Sequence, residues 1–492
     1  MMQESKRSDR VVERIYVKGI LKLKSPCLVG SGENNNADID FVRKYVLVDQ
    51  HAGISHASKD VSINKYVTVP YIPGTSLAGV FRNYLSEEGR ENKLVEHMFG
   101  KKIKGLNSSD ATISKLYVYD ADMIDQKQSP TFIRDGVKLD PDTKTSVDKG
   151  KYDYEIVSEN TEFSLRLELV LRECDPIEHM EKILYHLLKA LQDQKIFIGA
   201  KKQRGFGRIE LQDVKILRLD FRDPARKREF LDEWIKFDWK SFKENTELEQ
   251  LNHQNVSIDV PKKKVIKVKV PLKNEYSLMI RDYRNVYKDN ASGKKISQDY
   301  MQLCSNGMPV IPGTSWAGAI RARMRCILKD LYRSAGLNEE SSITKSEEKI
   351  NDFFGFVDES KNIAKTSKIR FYESKLDGGT MIMQNRIKID RYTGGTVRGA
   401  LFNELPVYHG HTDLVMEIEA DENEVEPDLG LLLLALKDLM NGYLSIGGET
   451  NIGKGIFSGH TVFLEKEGIE VEIDKERENK YLQALYALIC NS

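Results

Sequence analysis

Apolar and polar residues alternate with period two over positions 15–23 and again over 265–270, with β-branched side chains prominent. That period predicts half-buried strands. After Ile72-Pro-Gly and Ile311-Pro-Gly the period changes. Leu77, Val80, Phe81, Tyr84 and Leu85, then Trp316, Ile320, Met324, Ile327 and Leu328, fall at helical spacing. Each Pro-Gly supplies a turn, and the Thr-Ser that follows is placed to cap a helix. Alternation returns over 163–171 and 414–418, ahead of second helical patterns at 183–191 and 429–440 and a final strand bounded by glycines. The order β-α-β-β-α-β predicts an α+β fold of ferredoxin-like type.

The pattern occurs twice because the chain repeats itself. Tyr71-Ile-Pro-Gly-Thr-Ser-Leu-Ala-Gly79 with Arg82 returns as Val310-Ile-Pro-Gly-Thr-Ser-Trp-Ala-Gly318 with Arg321. Val137-Lys-Leu-Asp140 with Thr143 parallels Ile387-Lys-Ile-Asp390 with Thr393, each followed by Gly-x4-Glu ending at Glu155 or Glu404. Gly199, Gly205 and Gly207 match Gly447, Gly453 and Gly455 at identical spacing. A duplication offset by about 240–250 positions accounts for all of these. The predicted layout is a tail at 1–11, a first repeat at 12–220, a helical connector at 221–262, a second repeat at 263–472 and a C-terminal helix at 473–492.

Composition narrows the classes. A chain of 492 residues with 40% hydrophobic side chains has material for more than one core. The longest apolar run, 429–436, is far short of the roughly 18 residues a membrane helix needs, and the first residues carry no hydrophobic signal core, so a cytoplasmic location is expected. Five scattered cysteines without a Cys-x-x-Cys pair argue against a disulfide framework or a cysteine-rich zinc site. Lys and Arg total 75 and so do Asp and Glu, so any basic surface is a local patch.

Two segments offer such patches. The helix starts at Ser76 and Ser315 present backbone N–H groups that favour an anion, and Arg82, Arg321 and Arg325 lie one or two turns on. The first glycine segment, Lys201-Lys202-Gln-Arg204-Gly-Phe-Gly-Arg208, carries four basic residues and no acid; Arg-Gly-Phe-Gly matches the opening of the RNP1 pattern of RNA-recognition sheets. Its second copy keeps Lys454 but is less basic. No GxSxG, HExxH, Walker A or GxGxxG unit is present. Both repeats do place an aspartate thirteen positions before the proline of Ile-Pro-Gly, Asp60 and Asp299. His51 and His56 near Asp60 have no counterparts in the second repeat, which argues against a histidine metal site.

The Ile-Pro-Gly-Thr-Ser block, the Asp-x-x-Thr segment leading to Gly-x4-Glu, and the closing Gly-x5-Gly-x-Gly strand together resemble the RAMP superfamily of CRISPR-associated proteins. More narrowly they resemble backbone subunits of type III effector complexes, and two such domains in one chain look like the fused double subunit of type III-D systems. The resemblance implies two tandem ferredoxin-like, RRM-like domains with thumb β-hairpins at 128–158 and 380–410. It implies guide RNA, target RNA and other type III subunits as partners, with no membrane. It further implies target-RNA cleavage by a loop aspartate with Mg²⁺ or Mn²⁺, a role that falls on Asp60 and Asp299. Asp38 and Asp40 compete for it in the first repeat, and Asp282 and Asp289 in the second. Some backbone subunits of this kind are catalytically silent, so the alternative is a non-catalytic RNA-binding scaffold.

Overall fold

The computed structural model describes residues 9–34, 37–47, 66–86, 93–101, 112–125, 131–140, 143, 145–258, 264–282, 286–288, 295–297, 299–358, 360–419 and 422–490. Two compact units emerge. One comprises 1–133, 153–202 and 206–262; the other comprises 134–152, 203–205 and 263–492.

The first unit is built on β1 (Val11–Leu23), whose alternation puts Ile15, Val17, Leu21 and Leu23 on one face. Further along the chain come α1 (Gly74–Leu85), β2 (Leu116–Val118), the hairpin strands β3 (Thr131–Leu139) and β4 (Ser146–Val157), whose residues 134–152 fall in the second unit, then β5 (Glu162–Arg172), α2 (Ile177–Gln192) and β6 (Ile209–Asp220). The sheet order is β2-β5-β1-β6, and β1 is antiparallel to both neighbours. Leu77, Phe81 and Leu85 of α1 and Leu184, Leu187, Leu188 and Leu191 of α2 bury their apolar stripes against that face, the expected result for amphipathic helices on a sheet.

The opposite face of this sheet is covered as well. Within the 221–262 connector only α3 (Lys227–Ile235) is α-helical, with a single 3₁₀ turn at Leu248–Leu251. Its remaining backbone brings Phe237, Trp239 and Phe242 onto Tyr16, Leu217 and Leu219. Tyr16 stacks on Phe237 at 3.9 Å between ring centroids, and Lys18 Nζ donates to the Trp239 carbonyl at 2.9 Å. The expected continuous helix is absent because these aromatic residues gain more from burial on the sheet than from helical spacing.

In the second unit β7 (Val265–Asn274) is the central strand. It is followed by β8 (Tyr300–Gln302), α4 (Gly313–Ser334), α5 (Glu339–Phe354), β9 (Ile369–Phe371), the hairpin strands β10 (Gln384–Ile389) and β11 (Thr396–Leu405), β12 (His411–Glu419), α6 (Glu422–Met440), β13 (Phe463–Lys466), β14 (Ile469–Glu472) and α7 (Lys475–Cys490). The main sheet runs β9-β12-β7-β13-β14. Ile266, Val268, Val270 and Leu272 pack on Trp316, Ile320 and Met324 of α4 and on Leu432, Leu436 and Leu439 of α6. The apolar run at 429–436 is thus a buried core helix; no helix among the described residues is long and apolar enough to cross a membrane.

The Asp-x-x-Thr segments form the hairpin turns. Asp140 Oδ1 accepts the Thr143 N–H at 2.8 Å and its hydroxyl at 3.0 Å; Asp390 Oδ1 makes the same pair of bonds to Thr393 at the same distances. An aspartate that bonds its own backbone ahead is a turn device, which explains the motif without chemistry. Toward these turns the strands expose Val137, Leu139, Ile387, Ile389 and Leu401, and Tyr392 is 98% exposed.

Candidate nucleic-acid interface

The two helix starts are capped differently from the expectation. Pro73 and Pro312 occupy the N-cap positions of α1 and α4, and no hydroxyl caps either helix. Ser76 and Ser315 instead donate their backbone N–H groups to the Pro73 and Pro312 carbonyls at 3.0 and 2.9 Å. In α1, Asp120 Oδ1 accepts the Gly74 N–H at 2.8 Å, so a carboxylate already sits where the helix dipole attracts an anion. Gly313 is required by close approach: a Cβ there would collide with the carbonyl oxygens of Phe371 and Arg204. The 203–205 segment therefore lies against the start of α4.

That contact brings Arg204 within electrostatic reach of Arg321. Burial, followed by the Arg321 charge, pulls the Arg204 guanidinium below its ordinary pKa. Its Nη1 is buried with no hydrogen-bond partner among the described residues. Burial likewise lowers Arg321, against the pull of Glu347. Arg321 donates to Asn351 Oδ1 at 2.8 Å and sits 5.6 Å from the Phe354 ring, both neutral partners. Nearby charges elsewhere are matched. Arg325 pairs with Glu347, and the buried Arg134 with Glu373. Arg204 and Arg321 are thus two partly buried guanidiniums within electrostatic reach of one another, with Glu347 the counter-charge that Arg321 feels.

The glycine segment of the first repeat corrects the RNP1 reading. Phe206 is 2% exposed, packed with Leu28, Tyr154 and Ile156, and β6 begins only at Ile209. A buried ring off the strand offers no stacking platform. Lys201 Nζ lies 3.8 Å from the Tyr154 ring centroid, a cation–π contact. Lys202 follows in a 3₁₀ turn, Arg208 donates its N–H to Ser25 Oγ at 3.0 Å, and Arg82 is half-buried on α1.

Lys454, expected to meet RNA, is 3% exposed and donates to Glu404 Oε1 at 2.6 Å, with Glu449 Oε2 at 2.8 Å. Arg386 bridges the same two carboxylates, Arg281 pairs with Glu449 at 3.0 Å, and the Tyr300 hydroxyl donates to Glu449 at 3.3 Å. Burial raises the Glu449 pKa, but hydrogen bonds from Lys454 and Arg281 prevail and hold it at about 2. The second glycine segment is therefore a closed ionic network. The signal in the sequence is Glu449, which stands where the first repeat has Lys201.

Of the candidate carboxylates, Asp60 and Asp289 lie outside the described residues. Asp299 is exposed, and its Oδ2 accepts the Asn403 N–H at 2.8 Å. Asp38 is exposed and accepts the Asp153 N–H at 2.9 Å. Asp40 is 4% exposed and accepts the Ala37 N–H at 2.9 Å; Asp282 is 3% exposed. Among the described residues no three His, Cys, Asp or Glu side chains gather to hold a metal ion. A carboxylate such as that of Asp299 suits Mg²⁺ or Mn²⁺ as an ion that keeps waters and shares substrate phosphate oxygens.

Comparison with known proteins agrees with this architecture. The family model of the RAMP superfamily matches the chain twice, over residues 20–210 and 302–458. No curated protein matches it. The two matched regions span most of the chain, one over each copy of the duplicated motifs, and the chain belongs to the RAMP superfamily of CRISPR-associated, RNA-binding proteins.

Proposed function

We propose that the protein is a guide-RNA-binding backbone subunit of a type III CRISPR effector complex. The Arg204–Arg321 pair carries this reading, because Arg204 buries an N–H with no hydrogen-bond partner among the described residues within electrostatic reach of a second guanidinium, a combination a phosphate would relieve. The sheet order β2-β5-β1-β6 supports the ferredoxin-like comparison. The apolar residues exposed on both hairpins suit thumbs that press between stacked bases. Two such repeats in one chain favour the fused subunit of type III-D systems.

Cleavage of a bound target is the catalytic part of the proposal. The RNA 2′-hydroxyl attacks the adjacent phosphorus, its proton leaves to a base, and the bond to the 5′-oxygen breaks as that oxygen takes a proton from solvent, giving a cyclic phosphate and a 5′-hydroxyl. A thumb that splays one nucleotide supplies the in-line geometry. Asp299 holds a carboxylate at the root of β11, where Oδ2 is tied to Asn403 and Oδ1 has no bond among the described residues. A divalent ion held there would offset charge at the phosphate. A scaffold that binds RNA without cutting it is the alternative.

Binding is tested by titrating RNA against the full chain across salt. Arg204→Ala and Arg321→Ala should each weaken binding with little base preference and lower the salt slope by about 0.7–0.9 per lost phosphate contact. Purified protein should also carry small RNA, read as absorbance at 260 nm. An unchanged slope in both variants excludes the pair as the RNA contact.

A further inference from the structure

The aspartate thirteen positions before the proline of Ile-Pro-Gly is an equivalence counted along the chain. Hydrogen-bond register supplies an equivalence in space, and the two disagree. The glycine segments provide fixed reference points. Gly207 donates to Pro26 and Ala200 to Leu28, at 2.8 and 2.7 Å; Gly455 donates to Ser277 and Gly448 to Met279, at 2.7 and 2.8 Å. Position 26 therefore corresponds to 277 and position 28 to 279. The next bonds continue the match: Val42 donates to the Val29 carbonyl at 2.9 Å, and Leu303 to the Ile280 carbonyl at 2.8 Å. Gly30 bridges Phe41 as Arg281 bridges Gln302, both antiparallel.

Stepping back along the returning strand from Val42 and Leu303 reaches Ile39 and Tyr300. Each makes a parallel bridge to the second hairpin strand, with Tyr154 and Glu404 respectively. One residue earlier stand Asp38 and Asp299. Each is exposed, and each accepts, through Oδ2, the N–H of the residue preceding that bridge, Asp153 at 2.9 Å and Asn403 at 2.8 Å. The same register pairs Asp40 with Met301 and Asp282 with Ser31, so neither position holds a carboxylate in both repeats.

We propose that Asp38 is the first-repeat counterpart of Asp299, and that these two carboxylates, each tied through one oxygen to the root of a hairpin, face the RNA backbone in their respective repeats. The proposal rests on the cleaving reading above. The count from Ile-Pro-Gly and the register differ because 30 residues separate Val42 from Pro73 whereas eight separate Leu303 from Pro312.

Asp38→Asn and Asp299→Asn keep an oxygen for the backbone N–H and remove the charge, so both variants should fold. The full-length chain is purified in its guide-bound complex and given an end-labelled RNA complementary to the guide. Each single variant should lose one distinct product and the double variant both. If Asp299→Asn loses a product while Asp38→Asn keeps every product, the equivalence fails and the cleaving reading stands. If the unaltered complex leaves the RNA intact, the cleaving reading fails, and Mn²⁺ titration of the RNA-bound complex by electron paramagnetic resonance decides the equivalence. Loss of one bound Mn²⁺ in each single variant supports it; no Mn²⁺ bound to the unaltered complex, or full retention in Asp38→Asn, overturns it.

Discussion

Glu13 and Glu181 are both fully buried, and their carboxylates share Arg218, whose Nε lies 2.6 Å from Glu13 and whose Nη2 lies 2.7 Å from Glu181. Arg222 adds a contact to Glu13 at 2.7 Å, and His253 pairs with Glu181. Burial, then the hydrogen bond and charge of Glu181, push Glu13 up to about 8 despite Arg218. Between the ordinary carboxyl value and about 8 the folded chain keeps a proton that the unfolded chain releases. This contribution to stability is therefore full below the ordinary value and lost as pH rises through about 8, with a slope on the order of 1.4 kcal/mol per pH unit. Denaturant unfolding at several pH values should show that decline, and Glu13→Gln should flatten it. Lys454 poses the opposite case, a buried cation between two glutamates. Lys454→Met should cost about 3–5 kcal/mol by leaving Glu404 short of a partner, while RNA affinity of the folded fraction stays unchanged. A loss of affinity without loss of stability would return Lys454 to the interface.

At the scale of elements, the glycine segments explain why one spacing recurs twice. Gly455 has φ 73°, and a Cβ there would fall inside the Ile446 carbonyl oxygen; Gly207, at φ 74°, meets the Ile198 carbonyl in the same way. Gly453 has φ 87° with nothing near its missing Cβ. Gly453→Ala should cost only the left-handed penalty of about 1–2 kcal/mol. Gly455→Ala should cost clearly more, because the backbone must move. Equal midpoints for the two variants in thermal unfolding would contradict the close approach. The hairpin turns are elements whose residues were legible in advance, since Asp140 and Asp390 each bond to the Thr three residues on within their own turns.

At the scale of the whole molecule, the second unit includes residues 134–152 and 203–205, which precede the connector in the chain. If the chain is cut after Ile258, the carboxyl-terminal fragment lacks Arg134 for Glu373 and the 203–205 segment beside α4. The two fragments, co-expressed, should co-purify. The carboxyl-terminal fragment alone should melt at a lower temperature than the co-purified pair, and an equal melting temperature would show that the borrowed segments contribute nothing. The sequence by itself determined the duplication, the opening strands, the amphipathic helices and the turn glycines, because each is written in local period or in a motif a few residues long. Only the tertiary structure decided that Phe206 and Lys454 are buried, that Arg204 lies within electrostatic reach of Arg321, and that Asp38 shares its hydrogen-bonding position with Asp299. Those facts depend on strands that pair across a hundred residues or more, and insertions of unequal length shift any count made along the chain while leaving the hydrogen-bond register of the sheets unchanged.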